Sequence, residues 1–333
     1  MRLNRNGKSM KTAMTAWVVT LVVLCSWTLT ACGAAEQDTS GDEIRVVTTF
    51  FPLYDFSRKI GGEHADVTNL VPAGVEAHDW SPKPQDMANM SDADLFVYNG
   101  WGFEGWVNDV LDTLGDSKGP VIVEAVQGIE PVVIHEDDSG EDGEAGNNES
   151  GGHHSHDHGM YDPHVWMSPL QAMTMAENIL NGFIEADPAH QTDYEANFAK
   201  LRQELERLHN DYESVISNAN RKDLVVSHHA YAYLARDYGL KQVAVMGLSP
   251  ESKPTARDMA RILEYIKDHD VQYILFEELA SPELAETLAK DAGVELLPFH
   301  PVEGLTPEQE ANGEDYVSIM RSNLDVLKTA LQS

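Results

Sequence analysis

Between residues 188 and 218 the chain places Tyr194, Phe198, Leu201, Leu205, Leu208, Tyr212 and Val215 at steps of 4, 3, 4, 3, 4 and 3. That rhythm is one face of an α-helix. From Pro188 to about Asn218 the helix would run roughly 45 Å at 1.5 Å per residue. So long an apolar stripe must be covered, either by a second copy in a coiled coil or by the rest of its own chain. A single helix of this kind more often lies along its own protein, so a rigid strut between two halves is the preferred reading.

Both flanks of the strut alternate strands with helices. Before it, strand-like runs stand at Ile44–Thr49, Val67–Val71, Leu95–Tyr98 and Val121–Val123. Helical stretches lie around Tyr54–Ile60, Gln85–Met90 and Gly105–Leu114. Ser168 reads as the N-cap of a helix to about Ala186, with Pro169 at its first position. After the strut, strands are expected at Leu224–Val226, Gln242–Val245, Tyr273–Phe276 and Glu295–Leu297. Helices are expected at Tyr231–Tyr238, Thr255–His269, Pro282–Asp291 and Tyr316–Leu331.

Such alternation indicates parallel sheets. The expected fold class is α/β, two lobes with parallel β-sheets flanked by helices and joined by one long rigid linker helix. The expected boundaries are 44–187 for the N-terminal lobe, 188–219 for the linker and 220–333 for the C-terminal lobe. Ligands of paired α/β lobes bind where strand C-termini meet across the crevice. Residues 135–159 (HEDDSGEDGEAGNNESGGHHSHDHG) interrupt the first lobe with almost nothing to bury, and read as a disordered loop.

The first 31 residues have a different character. Arg2, Arg5, Lys8 and Lys11 form a basic start, with no acid before Glu36. An apolar run from Ala13 to Leu29 follows and ends at Leu29-Thr30-Ala31-Cys32. This pattern reads as a lipoprotein signal peptide over 1–31, cleaved before Cys32, whose thiol is then acylated. The alternative is an uncleaved anchor of nearly spanning length. Residues 32–43 read as a tether, and the localisation expected is extracytoplasmic, anchored to the cell membrane as a lipoprotein.

Charge and cysteine content narrow the chemistry. With Lys+Arg 23 against Asp+Glu 55, the chain carries a formal charge of −32. A nucleic-acid backbone is bound by clustered Lys and Arg, so nucleic acid is excluded. The only cysteines are Cys25, inside the signal, and Cys32. The mature chain therefore has neither an internal disulfide nor a thiolate metal ligand. Any metal must be held by nitrogen and oxygen.

Fourteen histidines supply the nitrogen. His153, His154, His156 and His158 sit in the 135–159 segment. Three others occupy junctions expected near strand ends or helix starts. These are His78 in Gly74-Val75-Glu76-Ala77-His78-Asp79-Trp80, His164 in Asp162-Pro163-His164-Val165-Trp166, and His228 in Ser227-His228-His229-Ala230-Tyr231. Singly, each suits a cap or a buried hydrogen bond. Together, in a thiol-free extracytoplasmic chain, they point to a metal site.

With these residues in view, the chain resembles the zinc/manganese solute-binding lipoproteins of ABC-type metal uptake systems, most closely their zinc-specific branch. The resemblance covers essentially residues 44–333. It rests on Val47-Thr48-Thr49-Phe50-Phe51-Pro52, on Val71-Pro72-Ala73-Gly74 leading to His78, and on Asp92-Ala93-Asp94-Leu95 with Asn99-Gly100. The Asp-Pro-His-x-Trp box at 162–166, the 227–231 segment, Pro301-Val302-Glu303-Gly304-Leu305 and Gly313-Glu314-Asp315-Tyr316 complete it. The box, following a Gly-x-Glu-x-His turn, is the specific element.

The resemblance implies a site of three histidines and a carboxylate, carried here by His78, His164, His228 and Glu303. His300, three residues before Glu303, is the alternative fourth ligand. His229 falls where the family often has Asp, and is implied to support the ligands rather than join them. Glu277 and Glu278 are weaker candidates, read as structural. The implied function is capture of Zn²⁺ in an interlobe cleft and delivery to an ABC permease, by a monomer that is not an enzyme. The alternatives are a manganese-binding homologue, a metal-dependent adhesin, or a metallochaperone passing zinc to another protein.

Ligand chemistry favours zinc independently. Three imidazoles and one carboxylate in a closed tetrahedral set suit Zn²⁺, whereas Mn²⁺ prefers more oxygen and higher coordination. A zinc hydrolase would keep an open coordination position and a general base, and the chain has no His-Glu-x-x-His motif. An unperturbed histidine titrates near about 6.5, so affinity is expected to fall between roughly pH 7 and 5. Histidines 153–158 are expected to hold extra zinc weakly, because ordering a loose segment costs about 1–2 kcal/mol per residue.

Overall fold

Val46 and Val47 face different cores, and that alternation along one strand organises the first half of the molecule. A computed structural model describes residues 43–114, 119–134, 161–250, 254–277 and 283–332. Four strands, β1 (Ile44–Thr48), β2 (Ala65–Asn69), β3 (Leu95–Tyr98) and β4 (Val121–Glu124), form a parallel sheet in the order β2-β1-β3-β4. Val46, Leu95 and Val97 turn to one face of it, and Val47 and Phe96 to the other. Both faces are apolar because helices cover both. Helices α1 (Phe51–Gly61) and α4 (Pro169–Ala186) take the first face, and α2 (Pro84–Ser91) and α3 (Val107–Leu114) the second.

The second half repeats the plan. Strands β5 (Asp223–Val226), β6 (Lys241–Ala244), β7 (Tyr273–Phe276) and β8 (Glu295–Pro298) are parallel in the order β6-β5-β7-β8. Val226 and Leu275 face the main core, while Val225 and Ile274 face a smaller one with α7 (Ala256–Asp268) and α8 (Glu283–Ala292). Helices α6 (Ala232–Tyr238), α9 (Pro307–Asn312) and α10 (Tyr316–Gln332) complete this half.

Between the halves runs α5 (Gln191–Ser217), entered through a 3-10 turn at Pro188–His190. Its buried stripe is Tyr194, Phe198, Leu201, Leu205, Leu208, Tyr212 and Ile216. The last seat belongs to Ile216 rather than Val215, which is half-buried, because a straight helix drifts off a strict 4,3 alternation. The first turns of α5 pack on α1 and α4, where Asn197 Nδ2 donates to Ile60 O at 3.2 Å and the Tyr194 and Phe183 rings lie 5.0 Å apart. Further along, Tyr212 Oη donates to Met320 O of α10 at 2.7 Å. The main core therefore runs unbroken from Val46 through Phe183, Leu205 and Tyr212 to Val226 and Leu331.

Some local readings shift. The strand expected at Val67–Val71 is Ala65–Asn69, because Leu70 and Val71 bend inward while their amides still donate to Thr48 O and Thr49 O at 2.9 and 3.2 Å. Ser168 precedes α4 as expected, but its hydroxyl leaves the helix end and donates to Asp237 Oδ2 at 2.6 Å. Among the described residues no helix is long and apolar enough to cross a membrane. The signal peptide, the tether through residue 42 and Cys32 lie outside the described residues, as does the 135–159 segment.

Candidate metal centre

In each sheet the strand order reverses between the two central strands, and open parallel sheets bind ligands off the strand ends at that point. Off β1 and β3, the buried Glu104 accepts at Oε1 from Thr49 Oγ1 (2.6 Å) and Asn99 N (2.7 Å). Asn99 Nδ2 in turn donates to Pro163 O at 2.9 Å, fixing the 162–166 segment against the strand tips. Off β5 and β7, the buried Glu277 accepts at Oε1 from Ser227 Oγ (2.7 Å) and from His228 Nδ1. A buried carboxylate thus ties the central strand tips of both sheets, and in the second sheet the tie includes an expected ligand.

Four of the expected site residues come together. His78 Nε2 lies 3.2 Å from His164 Nε2. Glu303 Oε1 lies 3.5 Å from His78 Nε2, 3.5 Å from His164 Nε2 and 3.4 Å from His228 Nε2. All four donor atoms fall within 4.8 Å of one another. A tetrahedral zinc with bonds of about 2.0–2.1 Å has donor–donor edges of about 3.3 Å. The cluster has that scale. His164 and His228 are fully buried, and the side chains of His78 and Glu303 are 3 % and 6 % exposed. Glu303 Oε1 and His228 Nε2 are also buried atoms without a hydrogen-bond partner, an arrangement that is costly unless something else satisfies them.

Two of the three imidazoles are aimed from behind by a carboxylate. Asp162 Oδ1 accepts from both His164 N and His164 Nδ1 at 2.8 Å, which puts the ring proton on Nδ1 and the lone pair of Nε2 toward the cluster. Glu277 likewise accepts from His228 Nδ1. His78 is held by the edge-to-face Phe103 ring at 4.8 Å, and its turn by Glu76, whose Oε2 accepts Asp79 N at 3.0 Å.

Charge follows geometry. Burial alone would raise the Asp162 and Glu303 carboxyls, but their imidazole neighbours outweigh it and hold both well below the usual range. Burial lowers His164, and Asp162 only partly offsets this, so its imidazole is neutral and ready to bind. Burial would also lower His228, yet Glu277 and then Glu303 push it up to about 10. His78 is raised against burial by Glu303 and Glu76.

Loops from both halves close over the cluster. Trp166 follows His164 on a 3-10 turn (Val165–Met167), and its Nε1 donates to Pro301 O at 2.8 Å, two residues from Glu303. Gly74 N, on the His78 loop, donates to Leu305 O at 2.7 Å. Gly74 sits at φ 78°, a left-handed conformation in which glycine has no Cβ penalty. Val302, fully buried, also has a positive φ of 60°, a strained state for a β-branched residue that persists only where its surroundings enforce it. Here its amide donates to His300 Nδ1 at 2.8 Å.

That contact turns the His300 ring elsewhere, with Nε2 at 3.2 Å from Gln309 Oε1. His300 is not brought into the cluster. His229 lies beside it, with Nδ1 3.2 Å from Asp162 Oδ2. Glu278 and His153, His154, His156 and His158 lie outside the described residues. Sequence reasoning passed over Glu104 and missed the role of Asn99, although Asn99-Gly100 directly after an apolar strand is a turn signal.

Known proteins share this architecture. The zinc uptake protein ZnuA of Bacillus subtilis is 38% identical over 315 residues, covering 93% of this chain and 96% of that protein. The zinc-binding lipoprotein AdcA of Streptococcus pneumoniae is 38% identical over 308 residues, where the chain spans 59% of the relative's length. The crystal structure of the Zn(II)-bound ZnuA-like domain of the same species' AdcA superposes with a TM-score of 0.72 at 36% identity, covering 87% of this chain and all of that domain. The family described as zinc-uptake complex component A, periplasmic, matches residues 46–330, and the chain belongs to it.

Proposed function

We propose that the protein captures Zn²⁺ with His78, His164, His228 and Glu303 and passes it to the permease of an ABC-type uptake system. The observation that carries this reading is four buried donor atoms within 4.8 Å of one another, four of their six separations at 3.2–3.5 Å, the edge length of a zinc tetrahedron. The relatives named for zinc uptake and zinc binding support it.

In this reading the division of labour is a lobe over 44–187, a linker helix over 188–219 and a lobe over 220–333, with ligands drawn from both lobes. Cys32 carries a lipid that holds the mature chain to the outer face of the cell membrane, through the tether at 32–43. The chain acts as a monomeric binding protein and not as an enzyme. Four protein donors complete a tetrahedral set, whereas catalytic zinc keeps one position open for water.

Elemental analysis of the purified protein, with competition against a chelator of known affinity, tests the proposal. A single tightly held zinc ion is expected. Protein that yields no tightly held zinc, or holds manganese more tightly, overturns it.

A further inference from the structure

The Asp162 carboxylate is fully buried, and it serves two imidazoles from opposite halves. Oδ1 accepts from His164, two residues on, while Oδ2 faces His229 Nδ1 at 3.2 Å, on the turn after β5. The same turn delivers His228 to the cluster. His229 itself is anchored, since its amide donates to Gly247 O at 2.8 Å. The carbonyl of Asp162 accepts a second bond across the boundary, from Tyr233 Oη at 2.9 Å. An ionised carboxylate only accepts, so His229 Nδ1 must carry the proton in this contact.

We infer that His229 is a positioning residue that fixes the spacing between His164 and His228 before any metal arrives. The neighbour of one ligand grips the orienting group of the other, so the two imidazoles cannot drift apart without losing the His229–Asp162 bond. A fixed spacing favours one coordination geometry, and the cluster's separations of 3.2–3.5 Å around Glu303 and between His78 and His164 suit a small four-coordinate ion. It disfavours ions that need longer bonds and more donors, such as Mn²⁺. His229 thereby contributes to metal choice without touching the metal. The inference rests on reading His78, His164, His228 and Glu303 as the zinc site.

Two variants separate the donor from the bulk. His229→Leu fills the space without an N–H, while His229→Asn keeps a donor near the position of Nδ1. Titrate each full-length mature protein with Zn²⁺ and Mn²⁺ in chelator competition, and record visible absorption with Co²⁺. Orienting partners of metal-bound histidines typically contribute about 10–100-fold in affinity. His229→Leu should lose zinc affinity in that range, lose less for Mn²⁺, and weaken the intense tetrahedral Co²⁺ bands. His229→Asn should restore most of both signals. Wild-type affinity and spectrum in His229→Leu overturn the inference, and so does an equal loss in both variants with intact thermal melts. A wild-type protein without tight zinc instead overturns the reading of the site.

Discussion

Glu303 Oε1 stands 3.4 Å from His228 Nε2, although the two residues come from the ends of different strands of the second sheet. His300, only three residues before Glu303, is turned to Gln309 and the Val302 amide. Glu303→Gln should therefore weaken zinc binding severely, by losing a charged donor from a buried set. His300→Ala should cost far less, because only the support of one turn is removed. Chelator-competition titrations rank the two. A tight site in Glu303→Gln together with none in His300→Ala would assign the fourth ligand to His300.

Proton release follows from the raised histidines. Zinc binds only neutral imidazole. Burial works to lower His228, but Glu277 and Glu303 carry it up to about 10, so the metal-free protein holds that proton at neutral pH. His78 is also raised, whereas Glu303 is held low and has no proton to give. Each displaced proton makes apparent affinity rise about tenfold per pH unit until the pH passes that group's pKa. Affinity should thus climb with pH toward about 10 and fall on acidification. Calorimetry near pH 7 to 8, in buffers of different ionisation enthalpy, should count one to two protons released. A count of zero would mean that His228 is not displaced.

Asp162→Asn removes the negative charge and leaves one acceptor oxygen where His164 and His229 each face one, and should lower zinc affinity about 10–100-fold. His164→Ala should abolish tight binding while leaving the fold intact, since the apolar side chains that join α5 to both sheets are unchanged. Far-ultraviolet circular dichroism checks the fold. Trp166 gives a second readout, its ring lying 5.3 Å from that of His164. Its emission should shift when zinc binds the wild type and stay unchanged in His164→Ala.

Removing residues 135–159 is predicted to spare the tight site. Val133 and Tyr161 pair as an antiparallel bridge, and Asp162 N donates to Val132 O at 2.9 Å, so the flanks are already joined. A short turn can replace the segment without moving His164. The deleted protein should lose weak, rapidly exchanging equivalents supplied by His153, His154, His156 and His158, and keep its tight one. Equilibrium dialysis distinguishes the two classes. Loss of tight binding would show that the segment supplies a primary ligand.

Periodicity disclosed the frame because burial writes itself into spacing. The stripe on α5 and the apolar β3 run Leu95–Tyr98 both fall where the pattern placed them. Val215 is only half-buried and yields the last seat to Ile216, because a straight helix drifts off a strict 4,3 alternation. Helix α9 was overlooked although Thr306, Pro307 and Gln309 form a capping box with proline at the first turn. The spatial grouping of His78, His164, His228 and Glu303 could be anticipated from motifs. What tunes them could not, since Glu277 reaches His228 across 49 positions of sequence. That contact moves the titration of one histidine far above the ordinary value of about 6.5.

The absence of any seam in the main core, which α5 threads from Tyr194 to Ile216, limits how cargo can enter. Opening the molecule like a book would expose the large side chains along that helix, each costing about 1.5–3 kcal/mol. Parting the tips would expose fewer of them. The Gly74–Leu305 hydrogen bond joins the strips of chain that bear His78 and Glu303, whose buried apolar side chains are Ala77, Val302 and Leu305. Loading then resembles a latch lifting on a stiff chassis. Filled and empty forms should share one outline and differ only at these two strips.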